Sequence, residues 1–453
     1  MAEKKGEGVF VFEPAFANAT AGEPARQKPV GSVLYSEHLK LTDKSHIAEF
    51  AGYLMPLWYS SISAEHSAVR QRAGVFDCTH MGELEVSGKE AEPFLNAVTT
   101  NDVSLLKIGA AQYSYVLDAA GNVLDDIIVY RRGGERFMVV VNAANEPKIK
   151  VYLAAIQAGK AAIDLAKPER RIKLASVRDM RDTRTGQDSR VDIALQGPAS
   201  IEVLCKLTDA PSVSRQIKDL KSFMFVEARL AGIDSIISRT GYTGAKMCFE
   251  LFVHPDKAAR LWQLLLDAGG VPCGLGARDS LRVEAGLPLY GHELAGPYNI
   301  TPFEAGYGWA VKLKKEFFIG KKAVEKIAKS FEMKVARMEL SGEKGIRPVR
   351  QQDAVIKDGE CIGWVLSSAF ASSFADAMED RYATADRSAT AGNRQIALSY
   401  VEKDKATEGD SVGVYYLARS ESQKSKGKKE IVKRGERLEA DIVGKIVSRF
   451  EKF

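Results

Sequence analysis

The sequence contains no apolar run that reaches the ~18 residues needed to span a membrane as a helix. Residues 1–33 lack the compact apolar core of a secretion signal and are not rich in Arg and Ser like a transit peptide. We therefore predict no membrane contact, and we expect residues 1–33 to form a loosely ordered leader. Hydrophobic residues at 45% and charged residues at 27% give the balance of a globular protein.

Cysteine and histidine are both scarce, and neither is spaced to bind a metal. The five cysteines are scattered without CxxC or Cys/His spacing, and the six histidines form no HExxH motif. An odd number of isolated thiols favours a reduced, cytoplasmic compartment. We expect no metal site.

The sequence also lacks a large excess of one charge, because it has 64 Lys and Arg residues and 59 Asp and Glu residues, which gives a net charge of +5. Part of this excess lies in the Lys-rich segment 422–437, in which no aromatic residue interleaves with the lysines. Surfaces that bind single-stranded nucleic acid combine basic and aromatic side chains. We interpret the segment as a solvated face and predict no nucleic-acid partner.

Signatures of nucleotide-binding proteins and of serine hydrolases are absent as well. The sequence has no Walker A motif, no G-x-G-x-x-G that opens a helix after a strand, and no G-x-S-x-G. A nucleotide fold and an α/β-hydrolase therefore have no support.

Six segments have the apolar spacing of helices, most with Pro at the start or Gly at the end. They are residues 64–74, 89–98, 147–159, 198–207, 256–270 and 277–286. Between them, AQYSYVLDAAGNVLDDIIVYRRGGERFMVVVNA predicts an antiparallel meander, because AAGN and RRGGER separate its apolar runs in the manner of hairpin turns. These patterns predict an α+β body with antiparallel sheets.

The pattern changes near residue 320, after which short strand patterns with turn residues between them dominate. This predicts a separate C-terminal β-barrel of jelly-roll-like type. We divide the chain into the leader, a body over 34–319 made of two intertwined α+β subdomains, and the barrel over 320–453. Two polar stretches near 161–188 and 371–394 are interpreted as surface insertions.

Several polar residues lie in unusual local contexts. Asp102 stands at the junction between a helix and a set of strands, and Tyr242 lies in SRTGYTG, where glycines let a backbone approach a ligand. Glu250 follows on the strand MCFELFV, Arg278 begins a helix, and Trp309 follows a Gly-rich loop. Each alone has an ordinary structural explanation as a surface carboxylate, a helix cap or a core aromatic residue.

Together, the motifs carry a family resemblance. In order, they are MPLWYSSISAEHSAVRQRAGVFDCTHMGELEVSG, TTNDV, GNVLDDIIVY, VVNAAN, LQGP, RTGYTG, GLGARDSLRVEAGLPLYG, PFEAGYGWAVKL, FIGKKA and IALSYV. This order resembles the aminomethyltransferase (T-protein) family of the glycine cleavage system. The resemblance extends from Leu34 to the C-terminus, apart from the two insertions.

The resemblance implies a tetrahydrofolate-dependent one-carbon transferase with three domains packed as a cloverleaf around the folate. It implies that the essential aspartate of the TNDV motif is Asp102, the catalytic residue. It places contacts to the pterin and substrate on Glu250, Arg278 and Tyr400. Four further residues are implied to line the same cavity: Tyr113, Asn142, Tyr242 and Trp309.

The implied reaction moves a one-carbon unit from an aminomethyl group on a lipoyl carrier protein to tetrahydrofolate and releases ammonia. Asp102 near N5 of the pterin would stabilise developing positive charge and help to move a proton. Glu250 would accept two N–H bonds from the amino-pyrimidinone edge. Arg278 would offer its planar set of donors to a carbonyl or carboxylate oxygen.

Two alternatives remain open. The segment after RTGYTG has Ala245 and Lys246 where the family usually has acidic residues, so a tetrahydrofolate-dependent O- or S-demethylase that acts on a small methylated donor is the main rival. A non-catalytic folate-binding protein is less favoured, because Asp102, Glu250 and Arg278 occur together. An iron–sulfur assembly role is disfavoured, because KKEFFIGKKA replaces the Lys-Gly-Cys-Tyr-x-Gly-Gln-Glu motif of that class.

Overall fold

The structure, a computed structural model, describes residues 28–208, 210–341, 347–370 and 395–450. The chain begins with a small sheet of three strands. They are β1 (Val30–Gly31), β2 (Ile47–Phe50) and β3 (Tyr53–Pro56), with β3 in the centre.

The first large sheet has five antiparallel strands. They are β5 (Gly82–Ser87), β6 (Ala111–Leu117), β7 (Val123–Gly133), β8 (Arg136–Val141) and β9 (Ser176–Asp179). Their order in the sheet is β6–β7–β8–β5–β9. Strands β6, β7 and β8 are sequential neighbours, which confirms the predicted meander.

The second large sheet has six strands. They are β4 (Gly74–Asp77), β10 (Val191–Gln196), β11 (Phe225–Leu230), β12 (Ile233–Ser238), β13 (Cys248–Val253) and β14 (Val271–Cys273). Their order is β11–β12–β13–β10–β4–β14, and only the pairing of β14 with β4 is parallel.

The two large sheets pack against each other through apolar side chains. Tyr130 of β7 places its ring 5.3 Å from that of Phe252 on β13 and 5.7 Å from that of Phe225 on β11. Met138 and Ile236 are buried in the same cluster. Side chains alternate between the two faces of a strand. Residues two positions before or after Tyr130, Phe225 and Phe252 therefore also face the space between the sheets.

The helices cover the outer faces of the sheets and connect them. The described helices are α1 (Tyr35–His38), α2 (Ile62–Gln71), α3 (Ala91–Val98), α4 (Glu146–Gln157), α5 (Ser200–Lys206), α6 (Pro211–Asp219), α7 (Pro255–Asp267), α8 (Leu275–Ala285), α9 (Lys321–Ser330) and α10 (Glu421–Ser425). All six predicted helices are present, with ends shifted by a few residues. Helix α6 has few apolar residues, and its pattern does not predict it.

The C-terminal part forms a closed six-stranded barrel. Its strands are β15 (Met333–Ser341), β16 (Ala354–Lys357), β17 (Glu360–Phe370), β18 (Gln395–Glu402), β19 (Ser411–Tyr415) and β20 (Ile442–Val447). Their order is β15–β18–β17–β16–β19–β20, closed by the pairing of β15 with β20. This confirms the predicted barrel and, with the two largely antiparallel sheets, the α+β class.

The barrel packs on the body through a shared apolar cluster. Tyr115 and Leu117 of β6 lie in this cluster together with Val335 and Leu398 of the barrel and Ala310 of the intervening segment. Residues 286–320 therefore run between the body and the barrel and contact both.

The polar stretch 161–188 belongs in part to the body. It contributes β9, which pairs with β5, and Ala161 and Ile163 are buried in the core of the first sheet. The stretch 371–394 and residues 1–27 of the leader lie outside the described residues.

All five cysteines carry free thiols. Over the described part of the chain, we find no helix that is both long and apolar enough to cross a bilayer. Within the same residues, no group of three or more His, Cys, Asp and Glu side chains is arranged to hold a metal ion.

Candidate active site

Asp102 caps a short 3₁₀ helix, Val103–Leu105, that follows α3. Its Oδ1 atom accepts hydrogen bonds from the amide of Ser104 at 3.1 Å and from the hydroxyl of Ser104 at 2.5 Å. A carboxylate at a helix N-cap is held in one orientation by such bonds. Both bonds go to Oδ1, and the side chain is only half-buried.

The turn that carries Asp102 is fixed to β6 by its neighbour Asn101. The Asn101 amide nitrogen Nδ2 donates to the carbonyl of Tyr113 at 2.8 Å, and its main-chain N–H donates to Ser114 Oγ at 2.8 Å. Its Oδ1 accepts from the main-chain N–H of Asp102 at 2.8 Å. The carboxylate is therefore held by rigid elements on both sides, which suits a group that must act at a defined position.

Glu250 extends from β13 into the space between the two large sheets and is 9% exposed. It accepts hydrogen bonds from the hydroxyls of Thr240 and Tyr130, the latter at 3.2 Å. Asp192 of β10 belongs to the same charged group, and its Oδ1 is buried without a hydrogen-bond partner among the described residues. Burial, together with the nearby charge of Glu250, raises the pKa of Asp192 well above its usual range.

Arg278 of α8 supplies the positive charge beside these carboxylates. Its guanidinium carbon lies 5.1 Å from the centre of the Tyr242 ring, a cation–π distance. Its Nη1 donates to the sulfur of Cys78 at 3.3 Å. Burial opposes the charged form of Arg278, but the thiol of Cys78 and the carboxylate of Glu250 offset it, so its pKa is raised. Arg278, Tyr242 and Glu250 thus occupy one neighbourhood.

A second pair of carboxylates lies on β7. The side-chain amide of Asn142 donates to Asp125 Oδ1 at 2.8 Å and to Asp126 Oδ1 at 2.9 Å, so it bridges the two acids. Since the amide nitrogen is engaged, the carbonyl oxygen of Asn142 is the atom available as an acceptor. Burial and the charge of Asp126 raise the pKa of Asp125 to about 8. The two carboxyl groups together therefore carry less than two negative charges near neutral pH.

A group of aromatic rings lies next to this acid pair. Tyr113 donates its hydroxyl to Asp126 Oδ2 at 2.9 Å, and its ring lies 5.9 Å from Trp309 and 5.6 Å from Tyr307. Phe450, near the end of the chain, meets Tyr307 edge-on at 5.3 Å. Trp309 is 53% exposed, so more than half of its surface is open to solvent although two aromatic rings lie beside it.

Seven of the eight predicted site residues belong to one connected set. Tyr242 interacts electrostatically with both Arg278 and Asp126, and this links the Glu250 group to the acid pair. Asp102 joins the set through Asn101 and Tyr113. The members are Asp102, Tyr113, Asn142, Tyr242, Glu250, Arg278 and Trp309, and their roles as site residues stay predictions.

Tyr400 lies in different surroundings. It extends from barrel strand β18, donates its hydroxyl to Glu304 at 2.5 Å and places its ring 5.6 Å from that of Tyr298. These contacts belong to the interface between barrel and body rather than to the connected set. Its role in binding remains a prediction.

The structure adds residues that the sequence did not single out. Asp126 lies in the GNVLDDIIVY motif, so a signal for it was present. Tyr307 likewise lies in the PFEAGYGWAVKL motif, whereas Phe450 gave no signal, because its contact with Tyr307 joins segments that are far apart in the sequence. A separate cavity of about 440 Å³ lies between 163–170 and the start of α9, and none of the eight predicted residues lines it.

Comparisons with known proteins identify the family. The "GCVT N-terminal domain" family model matches residues 34–315. An aminomethyltransferase of Desulfitobacterium hafniense (strain Y51) is 37% identical over 386 residues, 84% of this chain and 92% of the relative. The chain belongs to the aminomethyltransferase family. A further aminomethyltransferase, of Thermus thermophilus, is 39% identical over 370 residues, 82% of this chain and 90% of the relative.

A solved structure agrees with the aminomethyltransferase assignment. The crystal structure of glycine cleavage system aminomethyltransferase T from Bartonella henselae has a TM-score of 0.69 and 29% sequence identity, and the match covers 93% of this chain and 98% of that one. The chain is thus an enzyme of this transferase family, as the sequence predicted. The names of its relatives support the aminomethyltransferase interpretation over the demethylase alternative.

Proposed function

We propose that this aminomethyltransferase moves a one-carbon unit from an aminomethyl group, held as a thioether on a lipoyl carrier protein, to tetrahydrofolate. Atoms balance when the CH₂ group joins N5 and N10 of the folate. The hydrogens from these nitrogens leave on the lipoyl sulfur and on ammonia. The observation that carries the proposal is Asp102, a half-buried carboxylate with Oδ1 bonded to Ser104 and with its turn fixed to β6 by Asn101.

Asp102 would act on the nitrogen that receives the one-carbon unit. A fixed carboxylate there stabilises positive charge as it develops and accepts a proton as the new bond forms. Its cap interaction with Ser104 and the bonds of Asn101 hold it without reorganisation during the reaction. Tetrahydrofolate itself supplies the nucleophilic nitrogens.

Glu250 and Arg278 would orient the pterin ring. Glu250 offers acceptor oxygens to the ring N–H groups in a largely buried place, where charge-assisted hydrogen bonds are strong. The unpartnered oxygen of Asp192 fits the same ligand, because a buried acceptor without a donor is rare unless a ligand supplies one. Arg278 balances these acids and can donate to a carbonyl oxygen.

The aromatic residues would provide a flat wall for the folate. Trp309, Tyr113 and Tyr307 present rings within 6 Å of one another, and Trp309 keeps more than half of its surface exposed. Offset stacking of a ligand ring on such residues contributes about 0.5–1.5 kcal/mol beyond its buried area.

The carrier protein would approach next to Asp102. Leu105 and Ile108 follow it closely in the chain and are 76% and 60% exposed. Exposed apolar side chains beside a reactive group suit contact with a partner that presents its own reactive arm.

A product assay tests this proposal. The chain is incubated with tetrahydrofolate and either an aminomethylated carrier protein or small methylated donors, and the folate product and ammonia are measured. We expect 5,10-methylenetetrahydrofolate and ammonia in equal amounts, only with the carrier. Methyltetrahydrofolate formed from a small donor would overturn the proposal in favour of a demethylase.

A further inference from the structure

Lys315 is a buried lysine directly beneath the turn that carries Asp102. Its ammonium group is in a side chain only 7% exposed, and it donates to the main-chain carbonyls of Thr99 and Asn101, each at 2.7 Å. These carbonyls lie on the two sides of Thr100 and lead directly into Asp102. The two bonds therefore set the path of the chain immediately before the carboxylate.

The segment around Lys315 holds the same turn at further points. The main-chain N–H of Lys312 donates to the carbonyl of Thr100 at 3.0 Å, and the hydroxyl of Thr100 donates to the carbonyl of Ala310 at 3.0 Å. This segment begins directly after Trp309. One stretch of chain thus fixes both the aromatic wall and the turn of Asp102 relative to each other.

We propose that Lys315 is a positioning residue that acts through Asp102, by fixing its turn through the Thr99 and Asn101 carbonyls. This inference rests on the function proposed for the site. Lys315 would not touch the folate or the donor, because its ammonium group faces main-chain carbonyls and lies 5.3 Å from the ring centre of Phe318.

A purely structural explanation accounts less well for a lysine here. Burying an ammonium group is costly unless it is well paired, and both hydrogen bonds of this group go to the carbonyls that lead into Asp102. Burial lowers the pKa of Lys315 to about 7, while the charge of Asp102 opposes this fall. The fold thus keeps a destabilised cation whose charge interacts with the carboxylate proposed to act in the reaction.

Three variants and a coupled pair test the inference. Lys315→Met removes the donors and the charge but keeps the length, and Lys315→Arg keeps both. Lys314→Met is the matched control, because Lys314 is the adjacent residue in the chain and is exposed. Each variant is compared with the wild type for kcat in the product assay, for the Kd of tetrahydrofolate and for thermal unfolding.

We expect Lys315→Met to lower kcat by about 10²-fold, as misplacement of a catalytic group does, while the folate Kd changes little. Lys315→Arg should recover part of this loss, and Lys314→Met should match the wild type. In an Asp102→Asn background, Lys315→Met should lose most of its effect on single-turnover rates, because the group through which it acts is already impaired.

Other results would overturn the inference. One such result is an equal kcat for Lys315→Met and Lys314→Met. Another is a loss of rate from Lys315→Met that stays the same within about twofold when Asp102 is replaced. If Lys315→Met fails to fold, Lys315→Arg is used instead, alone and combined with Asp102→Asn. An inactive wild type would overturn the proposed function, whereas an active wild type with an unaffected Lys315→Met would overturn only this inference.

Discussion

Asp102 and Ser104 are joined through a single carboxylate oxygen. Both the amide and the hydroxyl of Ser104 donate to Asp102 Oδ1, at 3.1 and 2.5 Å. An asparagine can accept the same two bonds through its own carbonyl oxygen. The cap and the charge of this residue can therefore be separated by one substitution.

Asp102→Asn should abolish most of the activity while leaving the protein folded. We expect kcat to fall about 10²- to 10⁴-fold, the usual contribution of a group that transfers a proton in the transition state. The Kd of tetrahydrofolate should change little, and so should the melting temperature, because the cap is kept. Steady-state kinetics and a binding titration measure the two quantities.

Asp43→Asn is the matched control for this change. Asp43 caps another 3₁₀ helix, Lys44–His46, by accepting a hydrogen bond from the amide of Ser45 at 2.8 Å, and it lies in an exposed turn. The same chemical change there should leave kcat unaltered. Full turnover by Asp102→Asn would refute the catalytic role of Asp102.

Glu250→Gln should affect binding rather than turnover. Glutamine keeps the size of the side chain but loses the charge that strengthens hydrogen bonds to the pterin N–H groups. Hydrogen bonds to charged groups contribute about 1.5–3 kcal/mol, so the Kd of tetrahydrofolate should rise about 10- to 100-fold. At saturating folate, kcat should stay close to that of the wild type.

Glu227→Gln provides the control for Glu250, because Glu227 lies on β11 of the same sheet and its carboxylate pairs with Arg132 at the surface. Its replacement should leave the folate Kd unchanged. Equal Kd values for wild type and Glu250→Gln would remove Glu250 from the binding site.

Much of the fold could be predicted from local patterns. Helices with apolar spacing and the β6–β7–β8 meander follow from neighbouring residues, so the sequence reveals them directly. Strand β9 could not be found this way, because SVRD lacks apolar alternation. It is stabilised by its ladder with β5 and by the ion pair of Arg178 with Glu85, and these partners lie far away in the sequence.

The site was predictable to the extent that it lies in recognisable motifs. Asp102, Glu250 and Arg278 each stand in one, whereas Lys315 is one of many lysines and would be expected in solvent. Its burial depends on the meeting of residues 99–101 with 310–315, which are more than 200 positions apart. Tertiary contacts of this kind leave no trace in local sequence.

Trp309 should report folate binding by fluorescence. Its exposed ring lies beside Tyr113, so a pterin stacked there would quench its emission. Trp309→Phe should lose most of the change in emission on adding tetrahydrofolate. Trp364→Phe is the control, because Trp364 stacks on Tyr298 at 5.2 Å and donates to the carbonyl of Val432 on the barrel side. A full change in emission from Trp309→Phe would place the ligand elsewhere.

Glu284 should contribute stability that acid removes. Burial raises its pKa, but the hydrogen bond with His66 and the charge of Arg70 more than offset this and lower it to about 2. Because the folded-state pKa is depressed, this stability is fully present above about pH 4.5 and is lost as the pH falls toward 2. Glu284→Gln should cost about 3 kcal/mol at pH 7 in urea unfolding, and progressively less below pH 4.5. Glu202→Gln is the control: Glu202 forms an exposed ion pair with Lys206, so its replacement should lower the free energy of unfolding by under about 1 kcal/mol. A loss of stability for Glu284→Gln that is constant with pH would contradict the assignment.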